Sequence, residues 1–155
     1  MPRRREPSTA TTMSMTACTL DAVRRLGAAR AVAVISGDEP AAVLRALGEG
    51  GVVGVRLQAV GPTRGNLARL EKLSVRVREQ GWHLQLHLDA DLVVAAAPQL
   101  AALDAPMVFD HFARIPQPDG AAHPAFRVVA NLVARGRTWV KLSAGYHFTR
   151  SGGPD

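Results

Sequence analysis

Short apolar runs alternate five times with stretches of helical periodicity, and this alternation constrains the fold more tightly than any other property of the chain. ARAVAVIS (29–36) is a small, β-branched run that stops at Gly37-Asp38, which predicts a buried strand. EPAAVLRALGEGG opens with Pro40, a good first helical residue, and stops at glycines, which predicts a short helix. GVVGVRLQAV (51–60) predicts a second strand. NLARLEKLSVRVREQ (66–80) then spaces Leu67, Leu70, Leu73 and Val77 along one helical face before Gly81. WHLQLHLD (82–89) predicts a third strand, ADLVVAAAPQLAAL a helical stretch that Pro98 breaks or kinks, and PMVFD (106–110) a fourth strand. A loop dense in proline and glycine follows, then a helix over 125–135 closed by Gly136 and a fifth strand, TWVKLSAG (138–145). Consecutive β-α units of this kind predict a parallel sheet. No Gly-x-Gly-x-x-Gly or P-loop follows any strand, so the nucleotide-binding form lacks its phosphate cradle and a barrel is favoured.

A chain of 155 residues suits one domain. Its 47 % apolar and 21 % charged content is that of a globular protein. No apolar stretch approaches the ~20 residues of a membrane span. Cys18 is the single cysteine, so no internal disulfide is possible and a reducing cytoplasm fits best. The net charge of +6 is almost all arginine, because lysine occurs only at Lys72 and Lys141. Arg3, Arg4 and Arg5 sit in a Ser/Thr-rich opening read as a disordered tail over 1–18, ahead of a domain over 19–155. With aromatics at 5 %, stacking platforms are scarce and no nucleic-acid partner is expected; no membrane partner is expected either.

In parallel α/β proteins, functional groups collect where strands end. Here the strand ends carry Asp38, Arg56 with Gln58, His87 with Asp89, Asp110 with His111, and Lys141 with Ser143. Any one of these could simply mark where chain meets water. Five polar strand ends in succession are harder to assign to solvent alone. His83 and His87 are four residues apart, which spans ~13 Å of strand and prevents them from sharing one metal. His83, near the strand start, is read as structural, whereas Gln85 and His87 share its face nearer the functional rim. Asp110 and His111 are adjacent, so their side chains diverge and one supports the other or a neighbouring loop. His111 could ligate a metal, polarise a carbonyl or move a proton, or simply bond loop carbonyls.

FDHFARIP, then a Pro/Gly loop, then HPAF and WVKLSAGYHFT resembles the DH-x-G-R, HPAF and W-VKLSG-Y succession of the amidohydrolase-related family close to 2-pyrone-4,6-dicarboxylate lactonase. GVVGVRLQ and GWHLQLHLD look like the two preceding strands, so the likeness spans residues 20 to 150. The resemblance implies a (β/α)8-type barrel hydrolase acting on a carboxylated lactone or similar cyclic ester. It implies that His111 polarises the scissile carbonyl. It also implies that arginines hold substrate carboxylates, with Arg56 matching the strand-end arginine of GVR and Arg64, Arg114 and Arg150 as further clamps. Lys141 and Ser143 match the family's KLS, and Gln85 and His87 join the expected substrate-binding set.

The chain departs from the pattern in three places. It has no His-x-His motif and no T-D-W-P-H-like segment with the water-activating aspartate, and Phe112-Ala113 replaces the usual residue-glycine before Arg114. It therefore looks like strands three to seven of a barrel cut at both ends, a partial TIM-type barrel of five parallel β-α units. The wider superfamily uses one or two divalent ions; with the paired ligands missing, no metal and no other cofactor is expected. The alternative is a non-catalytic half-barrel that needs a partner chain to complete its sheet, and open sheet edges give a route to self-association.

Overall fold

The computed structural model describes residues 9–147. Its strands are β1 (Ala31–Ala33), β2 (Val52–Ala59), β3 (His83–Leu88), β4 (Met107–Phe109) and β5 (Thr138–Val140). Its α-helices are α1 (Thr9–Leu26), α2 (Ala41–Glu49), α3 (Leu70–Glu79), α4 (Ala90–Ala95), α5 (Ala97–Ala102) and α6 (Pro124–Ala134). The strands form one parallel sheet in the order β1-β2-β3-β4-β5. A doubly wound sheet reverses its strand order at a switch point, and a barrel does not. Strictly sequential order is thus the arrangement of barrel strands.

Strand alternation sorts the sheet into two faces. One face carries Val55, Leu57 and Ala59 of β2, Leu84, Leu86 and Leu88 of β3, and Met107 and Phe109 of β4, all buried. These join Leu44 of α2, Leu73 and Val77 of α3, Val93 of α4, Leu100 of α5 and Val129 and Leu132 of α6 in one apolar cluster. Fully burying each such leucine or phenylalanine contributes about 1.5–3 kcal/mol. The other face carries Gly54 and Arg56, His83, Gln85 and His87. The register sets Gly54 beside His83, Arg56 beside Gln85, and Gln58 beside His87. A β-carbon on Gly54 would lie 2.4 Å from His83 Cε1, so the glycine makes room for that imidazole at the base of the polar face.

Several elements differ in extent from the sequence expectation. The expected tail over 1–18 lies partly outside the described residues, but from Thr9 onward it is helical and belongs to α1. Leu20 and Val23, farther along the same helix, pack on the core and anchor it, which is why the segment does not end as a tail. The helix expected over 66–80 begins as an α-helix only at Leu70, because Gly61–Arg69, with Pro62 in its first turn, winds as a 3-10 segment. Leu67 still packs on the core from that segment. The break at Pro98 is present: α4 ends at Ala95, Ala96 leaves helical geometry, and Pro98 sits in the first turn of α5. Gly81 and Gly136 close α3 and α6 at φ +68° and +80°, a conformation that side chains resist.

Strand β5 is three residues long, not eight, so Lys141 and Ser143 stand beyond it. The backbone turns away there, and Ala144 adopts φ 56°. A side chain at positive φ is strained, so Ala144→Gly is expected to stabilise the fold by about 1 kcal/mol, a rise of about 2–4 °C in Tm that a thermal melt would read. Beside β5, α6 and the loop before it flank an apolar groove of about 430 Å3 lined by Phe112, Ile115, Phe126, Val133, Val140 and Leu142. Among the described residues, no helix is long and apolar enough to cross a membrane.

Candidate functional site

At the carboxyl ends of β2 to β5, polar side chains join in one continuous chain of contacts. Lys141 donates from Nζ to Gln85 Oε1 at 2.7 Å and lies 3.2 Å from Asp110 Oδ1. Gln85 Nε2 donates to Asp110 Oδ2 at 3.0 Å, and Arg56 Nη2 approaches the same oxygen at 3.1 Å. That guanidinium nitrogen also lies 3.1 Å from His87 Nδ1. On the far side of the ring, Arg114 Nη1 lies 3.4 Å from His87 Nε2. Arg114 Nε donates to Asp89 Oδ1 at 3.1 Å, while Asp89 Oδ2 accepts from Arg64 Nη1 at 2.8 Å and from the Gly61 amide at 3.1 Å. Arg64 continues to Asp91, with Nη1 at 3.0 Å from Oδ1 and a second, shorter contact through Nη2.

His111 stands at the rim of this chain. Its Nδ1 is 3.0 Å from Ser143 Oγ, and its ring meets His87 edge to face with centroids 5.3 Å apart. The backbone explains why it points there. His111, Phe112, Ala113 and Arg114 all adopt φ between 52° and 54°, a left-handed turn of four residues, none of them glycine. Each such residue costs about 1–2 kcal/mol, so the surroundings must impose the turn. They do so through the Phe112 amide, which donates to the Lys141 carbonyl at 3.0 Å, and the Ala113 amide, which donates to the Asp110 carbonyl at 3.0 Å. The turn sends Asp110 inward, to 2 % exposure, and His111 outward to the rim. Adjacent residues thereby take the diverging roles that strand alternation requires.

The electrostatics are those of a cation-rich cluster. Four cations (Arg56, Arg64, Arg114 and Lys141) meet three carboxylates (Asp89, Asp91 and Asp110) within the chain of contacts. Burial, then the charges of Arg56 and Arg114, push the His87 imidazole down to about 4 against the raising effect of Asp110, so the ring is neutral at neutral pH. Partial burial raises the Asp89 carboxyl, but the Gly61 amide, Arg64 and Arg114 outweigh it and hold the group below its ordinary value. His83 is also lowered, by burial first and by Lys141 second.

The residues do not fit a divalent ion. Among the described residues, no group of three or more His, Cys, Asp or Glu could hold one. His87 lies between two guanidinium groups, and Asp110 is already engaged by Arg56 and Lys141, so a further cation would meet like charge.

The structure brings together Arg56, Gln85, His87, His111, Arg114, Lys141 and Ser143, all of which strand-end reasoning or family likeness singled out. Arg64 joins through its carboxylate partners. Arg150 lies outside the described residues. Sequence reasoning placed Asp89 and Asp110 at strand ends but left both out of the expected site, and these two carboxylates organise it. Asp89 and Asp110 occupy N-cap positions, of the helix α4 and of the left-handed turn, yet neither side chain makes a capping bond. An acidic residue just before a helix is normally read as its cap. The available signal was alternation: Asp110 follows a strand paired with the one that carries Gln85 and His87 on its polar face, and Lys141 follows the strand on its other side.

A family model described as Amidohydrolase matches residues 3–155. The chain belongs to the amidohydrolase family. Among its curated amidohydrolase relatives, a 4-sulfomuconolactone hydrolase of Hydrogenophaga intermedia is 29 % identical over 138 residues, covering 86 % of this chain and 45 % of its own. A 4-sulfomuconolactone hydrolase of Rhizobium radiobacter is 30 % identical over 115 residues, covering 72 % and 38 %. Among solved structures, an apo protein of Agrobacterium tumefaciens superposes with a TM-score of 0.79 at 25 % identity, covering 88 % of this chain and 50 % of that one. A probable 2-pyrone-4,6-dicarboxylic acid hydrolase of Acinetobacter baumannii, with citric acid bound, superposes with a TM-score of 0.62 at 25 % identity, covering 92 % and 53 %. The chain thus spans about half the length of these relatives. Its five parallel β-α units are a partial TIM-type barrel.

Proposed function

We propose that this chain binds a carboxylated lactone or similar cyclic ester and contributes to opening its ring by hydrolysis. The observation that carries the reading is the surplus of guanidinium and ammonium donors around two imidazoles at the strand ends. Carboxylates of a substrate supply the missing negative charge, and arginine meets them with paired hydrogen bonds. Arg114 stands at the ligand side, with Arg56 behind His87 adding to the field. On this reading the Ser143 hydroxyl donates to Nδ1 of His111 and fixes the ring, so that Nε2 carries the proton and is the donor presented to the scissile carbonyl. As charge builds on that carbonyl oxygen, a donor already aimed at it lowers the barrier. The 4-sulfomuconolactone hydrolases and the 2-pyrone-4,6-dicarboxylic acid hydrolase among the relatives act, by their names, on substrates of this class.

A second reading is favoured by one feature of the site. Asp89, Asp91 and Asp110 each accept from arginine or lysine, which leaves none of the three as a base to activate water. On this reading the chain is a binding half that gains its base from complementary β-α units, packed on the apolar groove beside β5. One assay addresses both readings. The purified chain is offered 4-sulfomuconolactone, 2-pyrone-4,6-dicarboxylate and an uncharged lactone of similar size, and ring opening is followed by ultraviolet absorbance. The hydrolase reading expects turnover of the two anionic substrates and little of the neutral one. Binding of the anions without turnover supports the second reading; neither binding nor turnover removes both.

A further inference from the structure

His87 presents a hydrogen-bonding conflict. A neutral imidazole carries one proton and therefore offers one acceptor nitrogen, and a guanidinium can only donate. Yet Arg56 Nη2 faces Nδ1 at 3.1 Å and Arg114 Nη1 faces Nε2 at 3.4 Å. One of these contacts is a hydrogen bond, and the other sets N–H against N–H. The shorter contact belongs to Arg56, whose Nη2 is anchored on the buried Asp110 carboxylate. Nδ1 is therefore the acceptor, and the ring proton sits on Nε2, directed at Arg114. Arg114 is tied by Nε to Asp89, so it cannot swing away without giving up that ion pair. The charged and titratable groups facing the ring are Arg56 from β2, Asp110 at the end of β4, and His111 and Arg114 from the left-handed turn.

We propose that His87 is an uncharged ligand-binding donor, whose Nε2–H and the Arg114 guanidinium together seat one anionic oxygen, while Arg56, held by Asp110, fixes the tautomer. An oxygen placed between the two donors accepts from both and removes the conflict. The proposal rests on the carboxylated-ligand reading and deepens it. Arg56 becomes a positioning residue that acts through the ring, and His87 works without changing its charge.

The test has two arms on the full chain. In the first, nitrogen-15 NMR of histidine-labelled protein reads the tautomer between pH 6 and 8, with His87 assigned by its disappearance in His87→Gln. The expected result is an unprotonated Nδ1 and a protonated Nε2 throughout; a protonated Nδ1 overturns the proposal. In the second, citrate is the probe and calorimetry reads its affinity. Losing one donor to a carboxylate weakens binding by about tenfold to a hundredfold. A glutamine amide nitrogen reaches the position of Nε2, whereas an asparagine amide reaches only that of Nδ1. His87→Gln is therefore expected to bind within about threefold of the parent, and His87→Asn and His87→Phe to show the full loss. Equal affinity in His87→Phe, or no citrate binding by the parent, overturns the seat. Citrate binding through His87 without lactone opening leaves the seat intact and removes the hydrolase reading. Lactone opening that survives His87→Phe does the reverse.

Discussion

Replacing Asp110 with alanine is expected to destabilise the fold by about 3 kcal/mol, the lower end of the ~3–5 kcal/mol typical of breaking a buried ion pair. Asp110 is 2 % exposed and holds Gln85, Arg56 and Lys141 at once. Its removal leaves two cations and an amide facing one another across the sheet. The Arg56 and Lys141 side chains are 32 % and 45 % exposed, so water compensates part of the loss, which places the estimate at the low end. For a domain of this size the same change lowers Tm by roughly 10 °C. Urea unfolding measures it directly. A loss under about 1 kcal/mol would show that solvent, not the carboxylate, satisfies these cations. The isosteric Asp110→Asn separates charge from shape: it can keep an amide contact with Gln85 and is expected to recover less than half of the stability.

His111→Ala is expected to lower the rate of lactone opening by about 10²–10³-fold while leaving the affinity for a carboxylate probe nearly unchanged. The separation follows from position. His111 stands at the rim, oriented by Ser143 and by a strained turn, whereas the cations proposed to meet the carboxylate are Arg114 and its neighbours. A group that polarises the carbonyl acts on kcat, and a group that holds the carboxylate acts first on KM. Ser143→Ala, which removes one bond to the ring and keeps the ring itself, is expected to lose about tenfold, within the range of a positioning bond. Parallel measurement of kcat and KM in both variants provides the check. A His111→Ala protein within threefold of the parent in kcat would assign the carbonyl to another donor.

The sheet was legible because its two faces obey different rules. Leu84, Leu86 and Leu88 alternate with His83, Gln85 and His87, and that alternation alone predicts which side chains meet helices and which gather in the polar cluster. The glycines after α3 and α6 were equally readable, since few other residues accept their backbone geometry. Three features were not. The short β5 depends on where the turn at His111–Arg114 captures the Lys141 carbonyl, a contact between residues far apart in sequence. Helix α1 depends on Leu20 and Val23 finding the core, and its polar opening gives no sign of that. The roles of Asp89 and Asp110 depend on arginines delivered by other strands, which outcompete the local capping bond that each acid could otherwise make. Pattern reveals faces and boundaries; pairing between distant charges needs the assembled sheet.

Because every neighbour in the sheet is also the next unit along the chain, each strand can dock as soon as it leaves the ribosome, with no need to wait for a distant partner. The burial of Asp110 is an exception to this order. Arg56 and Gln85 precede it in synthesis, but Lys141 arrives only after α6 and β5 have been made. Until then the acid lacks one of its cations, so consolidation of this corner is tied to completion of β5.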